Sequence, residues 1–448
     1  MRLLVVHQNF PGQYKNLLAR LAASGKHEIV FLTQREQGSI EGVRKIRYSP
    51  GRKISDKTHH YLRTTEAAVV NAQAVWRAAS QLRKSGFYPD LILGHNGWGE
   101  TLFLKDVFPD APLLSYFEFF YRPSGSDIDF DPEYPATVDT RLRSQVLNAV
   151  NLMGLECADW GQAPTIWQRD QFPQHHRDRI SIVHEGIDTD VVKPDAQAFV
   201  QLQSRLRLRF GDEVITYVAR NLEPYRGFHI FMRALPELLR RRPKAHVLVL
   251  GADDVSYGMH LPPGETFRQK LLAEVGGKLD MSRVHFLGQV PHALFLKILQ
   301  VSAAHIYLTY PFVLSWSMLE AMSAGCLVIG SNTAPVTEFM RHGENGLLVD
   351  FFSPGEIGEA VDFAMANPEQ IATLREKARR TVIDRCDFET VCFPRQMQLI
   401  EDLLASRHTA VARQSLDDGA HNRVSTAKVD AAPTAVSSTR RGRSLARH

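Results

Sequence analysis

Cysteine is scarce in this sequence. The four present in 448 residues (Cys157, Cys326, Cys386 and Cys392) include no CxxC pair. That spacing argues against a zinc site and a disulfide scaffold, and makes a reducing cytoplasm the expected compartment. Long apolar runs are missing too: none approaches the roughly 20 residues of a membrane span. The opening "MRLLVVHQNFPG" breaks into His-Gln-Asn before it reaches the length of a signal-peptide core. A soluble protein, at most attached to a membrane surface, is expected. There is no GxGxxG, which lowers a dehydrogenase reading, and no GxSxG nucleophile elbow. No His/Asp/Glu set has metal spacing, so no metal is expected. "SDIDFDPEYP" resembles the opening of a calcium loop, but Pro132 stands where that loop needs Gly and Val138 where it needs Glu. It reads as a polar surface loop.

A folded surface of one charge sign is also absent. The net charge is +4, but from Ser406 onward there are eight Lys and Arg against three Asp, a balance of +5, which leaves the rest of the chain at 4 − 5 = −1. Nucleic-acid binding wants a basic face on a folded domain, so no nucleic-acid partner is expected. The tail is rich in Ala, Ser, Thr and Arg and reads as disordered over 406–448. Its basic end, "STRRGRSLARH", admits contact with anionic lipid; a solvated tail is the simpler reading.

What is present is an alternation. Short apolar runs ("RLLVVH", "HEIVFLT", "DLILGH", "PLLSYF") are separated by helix-like segments such as "TEAAVVNAQAVWRAASQLRKS". The second half repeats the pattern with "VITYVAR", "HVLVLG", "RVHFLG", "HIYLTY", "CLVIGS" and "NGLLVD". Continuous apolar strands between helices indicate parallel sheets covered on both faces. The chain therefore reads as two tandem Rossmann-like, doubly wound α/β domains. The boundary is expected at the Gly-Asp-Pro-bearing loop of "ISIVHEGIDTDVVKPD", giving 1–190, 191–385 and C-terminal helical residues 386–405.

Three loops could carry chemistry. In "HQNFPGQYKNLL", Gly12 permits close backbone approach before a helix start, where phosphate is favoured; a plain βα turn would look the same. In "YVARNLEPYRGFHI", Arg220 and Arg226 bracket a strand-to-helix loop and suit a diphosphate. Solvated surface arginines are the alternative, but the end of a parallel strand is where open α/β sheets bind ligands. In "TYPFVLSWSMLEAMSAG", the backbone N–H groups of Ser315, Trp316 and Ser317 form a potential anion nest at a helix start. Glu320, one turn on, suits either the helix dipole or two ribose hydroxyls. His95 in "GHNGWGE" and Glu118 in "SYFEFFYRP" stand after strand ends, open to an acceptor or the reacting sugar, or simply structural.

Together these segments resemble the retaining glycosyltransferases of family 4, which have the GT-B fold: two Rossmann-like domains facing a central cleft. The likeness runs from Met1 to about Leu404. It rests on Glu320-Ala321-Met322, Gly325, Glu338 and Asn345-Gly346, on "HEGIDTDVVKP", on "RNLEPYRG" and on "FPGQYKNL". It implies a metal-independent transfer without cofactor, from a UDP- or GDP-linked nucleotide sugar to a glycan or lipid-linked acceptor in cell-envelope polysaccharide synthesis. It implies a cytoplasmic protein, at most peripheral at the inner face of the membrane. Glu320 would grip the ribose. Arg220 and Arg226 would neutralise the diphosphate, with Gly12 and the Ser315–Ser317 backbone nearby. His95 and Glu118 would lie near the sugar and acceptor, and the cleft would close on the donor.

Two departures mark this chain. The family usually has a His where Glu118 stands, and a glutamate eight positions before Glu320, where this chain has Phe312. Phe cannot accept a sugar hydroxyl, so the donor is held differently, or the ring stacks on the sugar, or the site is degenerate. Two alternatives to a transferase follow: a non-catalytic sugar-nucleotide-binding partner, and a sugar-nucleotide epimerase on the same fold.

Overall fold

The computed structural model describes residues 1–202 and 206–406; the tail expected over 406–448 lies outside the described residues except for Ser406. Met1–Ile400 forms one unit built on two parallel sheets. The first has seven strands: β1 (Arg2–Val6), β2 (Glu28–Thr33), β3 (Val43–Arg47), β4 (Leu91–His95), β5 (Leu113–Tyr116), β6 (Trp160–Ala163) and β7 (Ile180–Ile182), in the order β3-β2-β1-β4-β5-β6-β7. A small antiparallel pair, β8 (Phe199–Leu202) and β9 (Leu206–Arg209), follows. The second parallel sheet has six strands: β10 (Val214–Asn221), β11 (His246–Ala252), β12 (Val284–Gly288), β13 (Ala304–Tyr307), β14 (Val328–Ser331) and β15 (Leu347–Val349), in the order β12-β11-β10-β13-β14-β15.

The central strands are apolar because both faces are covered. Leu3, Leu4, Val5 and Val6 of β1 and Ala304 and Ile306 of β13 are fully buried. The strand order reverses between β1 and β4 in one sheet and between β10 and β13 in the other. Those reversals open crevices at the carboxyl ends of the strands, where doubly wound sheets bind ligands. Residues 393–400 are helical and reach the first sheet's side: Gln396 Nε2 donates to the carbonyl of His184 at 3.0 Å, and Ile400 lines a small cavity together with Tyr14 and Leu17.

The segment 121–137 differs from the polar surface loop its sequence suggests. It leaves the first lobe and packs on the second as a strap. Asp131, 2% exposed, accepts from the Tyr310 hydroxyl at 2.5 Å and stands 3.0 Å from His229 Nε2. Asp127, also buried, accepts from the Tyr225 hydroxyl at 3.0 Å. Glu133 pairs with Arg233 at 2.6 Å, and Phe130 packs against Tyr310, Phe351 and Phe352. Asp127 and Asp131 are buried because donors from the second lobe meet them, as buried carboxylates require. Burial works to raise the Asp131 pKa, but His229, Tyr310 and the Glu133 N–H outweigh it and hold it below the usual carboxylate range.

Candidate active site in the cleft

The loops after β1, β4, β5, β10 and β13 converge on a cavity of about 670 Å³. One wall carries His7, Gly12, Gln13, Trp98 and Glu118; the other carries Arg220, Glu223, Arg226, Ser315 and Trp316; Glu185 lies between. A second depression of about 710 Å³, lined by Arg122, Trp167, Arg177 and Glu338, is larger and shallower. Its arginines are engaged: Arg122 donates to the carbonyls of Asp170 and Gln171, and Arg177 to those of Phe172 and Asp170. Glu338 accepts from the N–H groups of Ile166 and Trp167, both at 2.9 Å. The cleft between the strand ends is therefore the better candidate.

On the first wall a hydrogen-bonded relay leads to Glu118. His7 Nδ1 accepts from the Asn9 N–H at 2.8 Å, which puts the ring proton on Nε2, facing Gln13 Oε1 at 2.6 Å. Gln13 Nε2 then donates to Glu118 Oε1 at 3.2 Å. His95 is oriented in the same way. Its Nδ1 accepts from the Gly97 N–H at 3.0 Å, and its Nε2 faces Glu118 Oε2 at 3.5 Å. That distance is longer than a strong hydrogen bond. His95 itself is buried, its ring stacked on Trp98 at 4.4 Å, so it stands behind the wall. Gly12 is required where it is: at φ +57° a Cβ would come within 2.6 Å of the His7 ring.

The electrostatics follow from this packing. Burial, with His95 adding to it, pushes His7 down to about 3, so its ring is neutral at physiological pH. Burial acts to raise the Glu118 carboxyl, but the His95 contact, with Arg220 adding to it, outweighs burial and keeps it below the ordinary carboxylate range. Glu118 is thus ionised, and its side chain is 33% exposed to the cavity.

On the opposite wall the two arginines have different fates. Arg220, at the end of β10, is exposed, and its guanidinium makes no hydrogen bond or ion pair among the described residues. Arg226 is buried. Its Nη1 donates to Thr309 Oγ1 at 2.7 Å and to the Val313 carbonyl at 2.9 Å, and its guanidinium stands 5.4 Å from the centre of the Tyr257 ring. Tyr257 is held by Glu223, a fully buried carboxylate that accepts from the N–H groups of Ser256, Tyr257 and Gly258 at 3.0, 3.1 and 3.0 Å.

The segment before Glu320 departs from expectation. Ser315 does cap the Trp316–Ser323 helix, but its N–H donates to the Tyr307 hydroxyl at 2.8 Å, and the Ser317 N–H donates to Ser315 Oγ at 3.3 Å. The anion nest is therefore partly filled by protein groups. Glu320 lies one turn behind the cavity wall and pairs with His292 Nε2 at 2.9 Å. Phe312 is not available to stack on a sugar. It is 4% exposed, in an aromatic cluster with Phe119 at 4.6 Å and Tyr257 at 4.9 Å. A glutamate there would lose its solvation among rings.

Several groups in the cleft escaped the sequence reading: His7, Gln13, Glu185, Glu223 and Tyr257. Glu185 accepts from the Tyr116 hydroxyl of the first lobe and from Trp316 Nε1 of the second, the latter at 3.2 Å. Its sequence signal is its place in "HEGIDTDVVKP", where the family has Asn, just before a glycine at φ +88°; that likeness assigned it no role.

Residues 25–192 match the model of the glycosyl transferase family 4 group, and residues 202–381 that of glycosyl transferases group 1. This chain belongs to glycosyltransferase family 4. As a family 4 protein it is similar to D-inositol 3-phosphate glycosyltransferase of Rhodococcus jostii, at 28% identity over 49% of this chain and 47% of the relative. It is also similar to the GDP-mannose-dependent alpha-(1-6)-phosphatidylinositol monomannoside mannosyltransferase of Mycobacterium tuberculosis, at 28% identity over 46% and 52%. The chain spans about half the length of the curated relatives it matches. Among solved structures, sucrose-phosphate synthase from Thermosynechococcus elongatus superposes with a TM-score of 0.69 at 17% identity over 91% of this chain and 100% of that one. HepE of Anabaena, in complex with UDP and glucose, gives 0.62 at 17% identity over the same shares. At that identity the likeness concerns the GT-B fold. Among the described residues of this family 4 chain, no helix is long and apolar enough to cross a membrane.

Proposed function

We propose that the chain moves a sugar from a UDP- or GDP-linked donor to a hydroxyl of a glycan or lipid-linked acceptor, with retention and without a metal. The observation that carries this reading is one cavity with two arginines on one wall, neither ion-paired to a carboxylate among the described residues, and an ionised Glu118 beside neutral His7 on the other. Arg220 and Arg226 would hold the diphosphate and take up the charge of the leaving group. Glu320 would take the ribose, giving up His292 to do so. Gly12, Ser315, Trp316 and Ser317 would line the donor path, with His95 orienting Glu118 toward the sugar. No protein nucleophile is needed if the leaving phosphate accepts the acceptor's proton as the new bond forms on the same face.

The same reading takes 1–190 as the acceptor-side domain, 191–385 as the donor-side domain and 386–405 as a helical return to the first. The inositol-phosphate and phosphatidylinositol substrates in the relatives' names support both soluble and lipid-linked acceptors, the latter at the inner face of a membrane. A second reading, a non-catalytic sugar-nucleotide binder, is favoured by the burial of Phe312.

The test is nucleotide release from a panel of UDP- and GDP-sugars, with binding of UDP and 2′-deoxy-UDP compared. A working transferase releases nucleotide only when acceptor is added, and Glu320→Gln removes the preference for the ribose form. Binding without release under any acceptor supports the second reading. If no nucleotide binds and Glu320→Gln changes nothing, both fail.

A further inference from the structure

Among the described residues, the carboxylates and guanidiniums lining the cleft do not pair with one another. Glu118 is spent on Gln13 and His95, Glu185 on Tyr116 and Trp316, and Glu223 on three backbone N–H groups. No described ion pair joins any of the three to the cavity's arginines Arg35, Arg220 and Arg226. Arg220 and Arg226 flank one loop on the second lobe and are accounted for by the donor diphosphate. Arg35 is left over. It stands on the first lobe, just past the end of β2, beside the His7–Asn9 turn. Its Nε donates to Asn9 Oδ1 at 2.9 Å, a neutral acceptor that fixes the side chain. Its two terminal nitrogens make no hydrogen bond or ion pair among the described residues. A guanidinium held at Nε and open at both Nη groups is a ready fork for an oxyanion. Trp98, stacked on His95, gives the same wall an aromatic surface of the kind sugars and polyols pack against.

We propose that the acceptor carries a phosphate group and that Arg35 recognises it, so that the cleft takes two anions, one on each lobe. This rests on the transferase reading, since it assigns Arg220 and Arg226 to the donor. It adds the chemical class of the acceptor. The phosphate can belong to a soluble sugar or polyol phosphate or to a lipid headgroup. Either presents the same oxygens to the fork.

The test is calorimetric titration of inorganic phosphate into protein saturated with UDP or GDP, whichever binds. One phosphate site is expected in the wild-type protein, weakened at least tenfold by Arg35→Gln and partly kept by Arg35→Lys. UDP or GDP affinity should stay within twofold in both variants, which also shows that they are folded. Hexose phosphates beside the free hexoses, and phosphatidylinositol beside phosphatidylcholine vesicles, then separate the two sources. Turnover with the phosphorylated member of a pair should exceed that with its neutral partner at least tenfold, and Arg35→Gln should raise KM more than it lowers kcat. Absence of a phosphate site in the nucleotide-saturated protein, or equal phosphate binding by Arg35→Gln, overturns the proposal. Failure of any nucleotide to bind, with Arg220→Gln without effect, instead overturns the transferase reading beneath it.

Discussion

The Asp131 carboxylate accepts a 2.5 Å hydrogen bond from the Tyr310 hydroxyl across 179 positions of sequence, with His229 Nε2 3.0 Å away. The bond joins the two lobes, because Asp131 belongs to the strap that leaves the first and Tyr310 follows β13 of the second. Asp131→Ala strands a buried hydroxyl and a buried imidazole at once. A loss of about 3 kcal/mol is expected, read as a lower urea midpoint. Tyr310→Phe removes one partner and should cost about 1–2 kcal/mol. If the strap sets lobe spacing, a Phe130→Ala/Tyr310→Phe variant should also show a larger radius of gyration by small-angle scattering than the wild-type protein. Equal radii would mean that the strap stabilises the chain without restraining the lobes.

The two donor-side arginines should separate in their effects. Arg220 is exposed and unpaired among the described residues, so Arg220→Ala is expected to leave thermal unfolding unchanged while weakening UDP or GDP binding. One lost charge-assisted contact of about 1.5–3 kcal/mol corresponds to roughly 10- to 150-fold. Arg226 is buried with three acceptors on one nitrogen. Arg226→Ala should therefore weaken nucleotide binding and lower the unfolding midpoint together. Isothermal titration and thermal denaturation on the same preparations distinguish the two patterns.

This difference also marks how far the sequence could be read. The buried strands were legible because parallel strands covered on both faces are continuous apolar runs. Strand β3 was not, because "VRKIR" mixes Arg and Lys with apolar residues, as an edge strand does to stay soluble. Arg220 and Arg226 were legible from their place at a strand end. What Arg226 binds was not, since Thr309 lies 83 positions on. The strap acids looked solvated for the same reason: nothing near Asp127 or Asp131 in sequence supplies a donor. Tyr225 and Tyr310 do so only after the lobes meet. His7, Gln13 and Glu223 carry no motif, and their roles exist only in three dimensions.

Glu223 offers a test of loop support at a distance from the donor. Its carboxylate holds the Ser256–Gly258 turn, and Tyr257 on that turn faces the Arg226 guanidinium. Glu223→Gln replaces one acceptor oxygen by an NH2 that cannot accept, so one or two of the three N–H bonds are lost. A destabilisation of about 2 kcal/mol is expected. Nucleotide affinity should fall several-fold, because Arg226 loses its backing ring. Protease sensitivity of the turn should rise in parallel. An unchanged cleavage pattern with weakened binding would mean that Glu223 acts on the ligand directly.

His7 sets the acid limit of the fold on the cleft side. Its folded pKa of about 3 lies well below the ordinary value of 6.5 because the ring is buried beside His95. Between those values the unfolded chain holds a proton that the native protein does not, so stability rises with pH across that window. The contribution of His7 is fully present above about pH 6.5 and is lost as the pH falls toward 3. It is on the order of 5 kcal/mol, at about 1.4 kcal/mol per pH unit. His305, buried in the second lobe and also pushed down to about 3, acts in the same direction. Replacing His7 with Gln keeps a polar partner for Gln13 and removes the titration. The variant should lose less stability than the wild-type protein between pH 7 and pH 4.5, with the slope of unfolding free energy against pH reduced by about one proton. Urea unfolding at a series of pH values measures that slope. A slope unchanged by the substitution would assign the acid sensitivity to His305 and the other buried imidazoles, leaving the His7 ring free to protonate in the folded cleft.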